Sequence, residues 1–231
     1  ISNQWQMTVA ATERVFEFLE EKEEAVIKPR LSLAHRSEEP SAEKIRLKGD
    51  VQFSHVRFGY DPDEVIIKDF SADVKAGQKV AIVGPTGAGK TTLVKLLMRF
   101  HDIDAGDIFV DGHNVKEFTK EDLRQEFGMV LQDTWLFNGT IMENIRYGRL
   151  DATDEVIAAA KAAQVDHFIR TLPGGYQMQL NEEASNVSQG QKQLLTIARA
   201  ILSDARIMIL DEATSSVDTR TEILIQKAMD N

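Results

Sequence analysis

The sequence predicts an α/β fold with a mostly parallel sheet, an antiparallel β region ahead of it and a helical block inserted late in the chain. Three observations carry this. The runs Lys79–Val83 and Ile207–Leu210 are apolar almost throughout, as strands buried on both faces of a parallel sheet are. Strand-like runs alternate with helical patterns along most of the chain, the order that generates parallel crossovers. Between Gln132 and Ser203 the pattern turns helical, and about residues 133–203 read as an inserted subdomain.

The first stretch, Ile1 to Glu24, reads as a helix with Trp5, Val9, Val15, Phe16 and Leu19 as its apolar residues. Alone it closes no core, so it either packs on the main domain or is the tail of a helix from another region. Residues 25–44, with Pro29, Pro40 and a Ser/Glu mixture, are a linker by composition, and a boundary near residue 44 follows. From Ile45 the pattern is β-like, with Val51, Phe53, Val56 and Phe58 among polar residues, then Phe70–Val74. Asp107–Val110 and Phe127–Leu131 are further strand candidates, and Gln132 follows the second directly. Thr140 and Glu143 have capping-box spacing, as do Ser188 and Gln191. Asp154–Gln164 is an Ala-rich helix with acids in its first turn, and Asp166–Leu172 is a shorter one ended by Pro173-Gly174-Gly175. The helix begun at Ser188 buries Leu194, Leu195, Ile197, Ala198, Ile201 and Leu202, and a last helix opens at Thr219.

Composition narrows the function. The chain has 231 residues, 42% hydrophobic and 28% charged, enough for one large domain or a domain with an appendage. Its 27 basic and 37 acidic residues give a net charge of −10, which argues against a general nucleic-acid surface. The absence of cysteine excludes disulfides and thiolate metal sites. No apolar run is long enough to span a bilayer, and the N-terminus does not resemble a signal peptide. Lacking an initiator Met, the chain is expected to be a fragment truncated at both ends.

One stretch carries defined chemistry. Gly84-Pro85-Thr86-Gly87-Ala88-Gly89-Lys90-Thr91-Thr92 fits G-x-x-x-x-G-K-[ST], a phosphate-binding loop. Glycines let successive N–H groups turn toward phosphate oxygens. Lys90 brings a mobile charge to the β- and γ-phosphates, and Thr91 offers a hydroxyl to Mg²⁺. Leu93, Val94, Leu96, Leu97 and Phe100 then space a helix whose N-terminus faces the anion. Asp211-Glu212 ends the second apolar run, at the carboxyl end of a strand, where open α/β sheets bind ligands. A carboxylate there can hold Mg²⁺ through water, and its neighbour can orient an attacking water. A lone acidic pair is equally an ordinary strand end; beside a phosphate loop the functional reading prevails.

In order and spacing, Lys90-Thr91, Gln132, Ser188-Gln189-Gly190-Gln191, Leu210-Asp211-Glu212 and Ser215-Ser216-Val217-Asp218 resemble the nucleotide-binding domain of ATP-binding cassette (ABC) transporters. Val56-Arg57-Phe58-Gly59-Tyr60 and the run Leu136–Ile145 are similar to the exporter branch, in which membrane and ATPase domains share one chain. The resemblance covers about residues 45–231, and residues 1–24 look like the end of an exporter's last membrane helix. It implies the P-loop fold of ABC ATPases, with ATP and Mg²⁺ as ligands. Tyr60 would stack on adenine, and Gly84 to Thr92 would cradle the phosphates. Thr91, Gln132 and Asp211 would serve the metal, and Glu212 would be the general base. Ser188, Gly190 and Gln191 would face the γ-phosphate of a partner's ATP, while Asp218 belongs to a loop crossing that interface or simply neighbours the last helix's N-cap. The implied partners are a second ABC ATPase domain, identical or related, a membrane domain of the same chain, and a transported substrate that these residues do not specify. Localisation follows at the cytoplasmic face of the cell membrane.

Two departures stand out. The signature, commonly Leu-Ser-Gly-Gly-Gln, reads Val187-Ser188-Gln189-Gly190-Gln191, and Ala184 occupies a place where Gly is common. The family's switch histidine lies beyond Asp211, whereas His35, His55, His101, His113 and His167 all precede it. The chain is therefore expected to bind ATP with little turnover of its own. Among rival readings, a DNA-acting ABC ATPase would need a basic surface or long coiled-coil insertions. An importer-type subunit fits the N-terminal helix less well. Thr119-Lys120-Glu121-Asp122 fits a guanine-recognition motif but reads as a polar helix start, since no D-x-x-G follows the phosphate loop.

Overall fold

The computed structural model describes residues 2–20, 31–33, 43–61, 63–131, 134–181, 184–211 and 219–229. Helix α1 (Ser2–Glu20) comes first. Its Val9, Val15, Phe16, Phe18 and Leu19 are all exposed, so these five join neither core. Strands β1 (Leu31–Leu33) and β2 (Glu43–Ile45) pair in parallel, inside and at the border of the stretch whose composition reads as linker. Three-residue strands are too short for alternation to register in sequence.

Strands β3 (Val51–Asp61) and β4 (Glu64–Val74) form a long antiparallel hairpin. On β3 the predicted Val51, Phe53, Val56 and Phe58 are the buried residues. Phe53 and Val56 are three apart, which strict alternation would put on opposite faces. A register shift between them, with His55 at φ +48°, returns Val56 to the core. Helix α2 (Lys90–Leu97) follows, then β5 (Ala105–Val110) and β6 (His113–Asn114), giving the sheet order β4-β3-β5-β6. In the turn between β5 and β6, the Asp111 carboxylate accepts the backbone N–H groups of Lys48, Gly49 and Asp50 at 2.5, 3.1 and 2.9 Å. Asp111 N returns a bond to Asp50 O at 2.8 Å, so the chain entering β3 is fastened to the hairpin.

Helix α3 (Lys120–Gln125) is capped by Thr119, whose Oγ1 accepts from Asp122 N at 3.0 Å. The guanine-like tetrapeptide is thus a helix start. Strand β7 (Phe127–Val130) leads to the pair β8 (Gly139–Thr140) and β9 (Gln179–Leu180), between which lie α4 (Ile141–Ile145), α5 (Asp154–Ala162) and α6 (Asp166–Thr171). Helix α7 (Gln189–Leu202), strand β10 (Ile207–Leu210) and helix α8 (Thr219–Met229) complete the order.

Two cores result. One lies under the antiparallel sheet and packs Val56, Leu96, Ile108, Phe118 and Leu123. The other gathers the helical block, with Ile141, Ile145, Leu195 and Ile197, and reaches Val130 of β7 and Ile225 of α8.

Beyond the short β1–β2 pair, the parallel pairing among the described residues is that of β7 with β10. The run Lys79–Val83, expected as a buried strand, joins no ladder, and Val80, Ile82 and Val83 are exposed, Val83 by 86%. This corrects the sequence reading. Apolar content records what a strand would bury, but a ladder needs a neighbour's N–H and C=O groups, and neither β7 nor β10 supplies them here.

Candidate functional site

The loop before α2 owes its shape to two glycines. Gly87 and Gly89 have φ of +82° and +85°, and Gly89 is the N-cap of α2. A Cβ on Gly89 would stand 2.6 Å from Ile67 Cδ1 and 3.0 Å from Ile66 Cγ2, so the loop lies directly on β4. Ala88 N donates to Pro85 O at 3.1 Å, which closes the turn. Lys90 folds back along the loop, and its Nζ donates to Gly84 O at 2.8 Å and Pro85 O at 3.0 Å. The ammonium thus sits beside the backbone that the motif assigns to phosphate, at the positive end of an eight-residue helix. Thr91 is exposed and Thr92 is buried.

The other end of α2 is held by two arginines. Arg124 donates from Nε to Met98 O at 3.0 Å and from Nη2 to Arg99 O at 2.9 Å, satisfying carbonyls at the negative helix end. Arg99 is buried and donates from Nη1 to Val115 O and Phe118 O; burial lowers its pKa from the usual arginine value.

Tyr60, near the end of β3, is 51% exposed. Its ring stands edge-on to Phe58 and His101, with both centroids 5.1 Å away and interplanar angles of 84° and 86°. Its hydroxyl lies 3.4 Å from Thr92 Oγ1, and Lys95 Nζ is 6.0 Å from the ring centroid. An upright, half-exposed ring tied to α2 is a surface on which a planar base can stack. His101 carries no motif, and the sequence reading missed it.

Strands β7 and β10 pair with Leu210 opposite Val130, and Asp211 N donates to Val130 O at 3.0 Å. Their carboxyl ends therefore lie side by side, with Leu131 and the half-buried Asp211 next in the chain. Gln132, Glu212 and Asp218 lie outside the described residues.

A separate cluster forms at the start of α7. Ser188 Oγ accepts from Gln191 N at 3.3 Å, and Gln191 Oε1 accepts from Ser188 N at 2.8 Å, completing the predicted capping box. Ser188 is exposed and Gly190 is buried. Ala184 has φ +47°, the left-handed region that favours glycine, which accounts for the residue type common at that place. Gln189 Nε2 donates to Thr134 Oγ1 at 3.1 Å. Further along α7, Arg199 donates from Nε to Asn144 O at 2.8 Å, from Nη1 to Trp135 O at 3.2 Å and from Nη2 to Asn144 Oδ1 at 3.3 Å. Burial lowers the Arg199 pKa, and its guanidinium carbon lies 5.4 Å from the centroid of Tyr147.

The segment these bonds reach is itself well tied. Asn144, fully buried, donates to Phe137 O and Thr140 O and accepts from Phe137 N. Thr140 and Glu143 form the second predicted capping box, and the backbone N–H of Thr140, then its hydroxyl, hold the Glu143 carboxyl below its ordinary pKa.

Comparison with known proteins gives a consistent result. A family model described as ABC transporter matches residues 67–215. A "Fatty acid ABC transporter ATP-binding/permease protein" of Mycobacterium bovis is 53% identical over 228 residues, 98% of this chain and 34% of that protein. The mitochondrial "Iron-sulfur clusters transporter atm1" of Aspergillus fumigatus is 48% identical over 188 residues, 80% of this chain and 26% of that protein. Among solved structures, a bacterial Atm1-family ABC exporter with ATP bound superposes with a TM-score of 0.79 at 39% identity, covering 99% of this chain and 38% of that one. The chain spans about a third of the length of such relatives.

Proposed function

Because the chain belongs to the ABC transporter family, we propose that it is the ATP-binding and ATP-hydrolysing domain of an export transporter at the cytoplasmic face of a membrane. Its partners in this reading are a membrane domain of the same polypeptide, a second ABC ATPase domain and a transported substrate. Two relatives of similar identity carry names with different cargoes, fatty acid and iron–sulfur clusters, so identity in this domain does not choose the substrate.

The observation that carries the reading is a division of labour. The phosphate loop opens α2, while the exposed Ser188 opens α7 as a separate helix start. Two copies meeting head to tail make two complete sites, each with the loop of one chain and the α7 start of the other. Tyr60 stacks on adenine. Lys90 exchanges the Gly84 and Pro85 carbonyls for phosphate oxygens, trading neutral acceptors for charged ones that bind it more strongly. Thr91, Asp211 and Gln132 offer the hard oxygen donors that suit Mg²⁺, and the metal neutralises phosphate charge when MgATP binds. Glu212 accepts a proton from the attacking water as its oxygen bonds to the γ-phosphorus. The bond from that phosphorus to the β–γ bridging oxygen breaks, releasing ADP and phosphate. Ser188 and the α7 N-terminus, with Gly190 and Gln191, receive γ-phosphate charge from the partner's ATP. The segment from Gln132 to Asn144 then passes dimer closure to the membrane helices.

The test is Glu212→Gln in the transporter that carries this domain. ATP binding should persist, hydrolysis should fall by about 10²–10⁴, and the closed dimer should accumulate. Hydrolysis at the parental rate would remove Glu212 as the base.

A further inference from the structure

His101 belongs to no motif, yet its ring packs against the residue assigned to the adenine base. We propose that His101 is a positioning residue for that base: its imidazole holds the Tyr60 ring in the orientation on which the base stacks. The proposal rests on the reading of Tyr60 above.

Four neighbours restrain Tyr60 unequally. Phe58, two residues earlier on β3 and buried, meets the ring nearly at right angles at 5.1 Å. The hydroxyl contact with Thr92 Oγ1, at 3.4 Å, is longer than the about 2.5–3.0 Å of an O–H···O hydrogen bond, so it guides the ring weakly. Lys95 Nζ, 6.0 Å from the centroid, stands at the outer limit of a cation–π contact. His101 supplies the second close ring contact at 5.1 Å and also lies 5.7 Å from Phe58, so the three rings close on one another. Neither Phe58 nor His101 stacks parallel to Tyr60.

A wall works only if it cannot retreat, and the turn carrying His101 is clamped on both sides. On the helix side, Arg99 has φ +52° and donates from its buried guanidinium to Val115 O and Phe118 O. Arg124 holds Met98 O and Arg99 O, and its guanidinium carbon lies 4.3 Å from the centroid of Phe100. On the strand side, Asp104 N donates to Arg57 O at 2.9 Å, and Asp104 Oδ2 accepts from Gly59 N at 3.0 Å. Arg57 and Gly59 flank Phe58, and Gly59 immediately precedes Tyr60. The turn after α2 is thus stitched to β3 beside Tyr60, and His101 sits between the two sets of stitches.

An unheld, half-exposed tyrosine samples three staggered wells at χ1. Confinement to the one that receives the base raises apparent affinity by up to about threefold. The ring pair itself corresponds to about two- to tenfold. The two effects overlap, so the expected contribution of His101 is about two- to tenfold, and only for ligands that carry a base.

Titration calorimetry on the intact transporter compares ADP, which undergoes no turnover at the site, with inorganic pyrophosphate, which offers phosphates without a base. The proteins are the parent, His101→Ala, His101→Phe, Tyr60→Ala and the Tyr60→Ala/His101→Ala double variant. His101→Ala should weaken ADP about two- to tenfold and leave pyrophosphate unchanged. His101→Phe restores a ring and should recover the affinity for ADP. Tyr60→Ala should weaken ADP at least as much, and adding His101→Ala to it should cost nothing further, because the wall then has nothing to hold. A merely structural role would weaken both ligands alike and leave their affinity ratio unaltered. That result, additive losses in the double variant, or no rescue by His101→Phe would overturn the proposal. A loss from Tyr60→Ala with none from His101→Ala would overturn the role of His101 and leave the stacking reading standing. Unaltered ADP affinity in Tyr60→Ala would overturn the stacking reading itself, and the role of His101 with it.

Discussion

Replacing Gly89 with alanine asks whether the phosphate loop keeps its shape because of what lies beneath it. Two costs add. At φ +85° an L-residue is in the left-handed region, which costs about 1–2 kcal/mol. The added Cβ would also approach Ile67 Cδ1 to 2.6 Å and Ile66 Cγ2 to 3.0 Å, and displacing a packed layer costs about 1–3 kcal/mol. The sum is about 2–5 kcal/mol, or a melting temperature lower by about 4–20 °C for a chain of this size. Gly87→Ala is the matched control, since its φ is +82° but no atom lies within 4 Å of the added Cβ. It should lose only the first cost, about 1–2 kcal/mol. Ile67→Val deletes Cδ1 and costs about 0.5–1.5 kcal/mol alone; in that background Gly89→Ala should recover most of the contact cost. Urea unfolding followed by tryptophan fluorescence measures all four variants. Equal losses for Gly87→Ala and Gly89→Ala, or no relief from Ile67→Val, would refute the claim that β4 shapes the loop.

Arg199→Met removes three hydrogen bonds and leaves the carbonyls of Asn144 and Trp135 without that donor; the expected loss is about 2–4 kcal/mol by urea unfolding. A loss below about 1 kcal/mol would show that α7 is not held at this point. Glu143 gives a pH prediction. Its folded pKa is depressed from 4.5, so its stabilisation is present above that value and lost as pH falls through the lower folded pKa. Glu143→Gln can still cap the helix, so its stability should converge on the parent's in acid and fall below it above pH 4.5. A constant difference across that window would rule this out.

Much of this architecture is legible in residue spacing because its causes are local. The boxes at Thr140–Glu143 and Ser188–Gln191 form as their three-residue spacing requires, and Thr119 caps α3 as a polar helix start. The alternation on β3 names its buried residues, although the shift at His55 that keeps Val56 inside leaves no sequence mark. Only the Phe70–Val74 half of β4 reads as strand, because Glu64 to Asp69 pairs through the hairpin rather than through a pattern of its own. The run at 79–83 shows the opposite error: apolarity is intrinsic to a segment, while strand pairing belongs to two segments. The same holds for the site. The loop, its glycines and Lys90 are adjacent in sequence and readable, whereas His101 against Tyr60 and Gln189 against Thr134 meet only after folding.

The Asp111 carboxylate has a mechanical consequence. A pull arriving at residue 48 meets three hydrogen bonds from backbone N–H groups to one carboxylate before it reaches β3. Beyond them β3 runs between β4 and β5, so force along its axis shears two ladders at once, and many bonds share the load. Were β3 an edge strand peeled from one side, its bonds would fail one after another. The sheet can therefore be tugged at its N-terminal end without unravelling, where a softer connection would stretch.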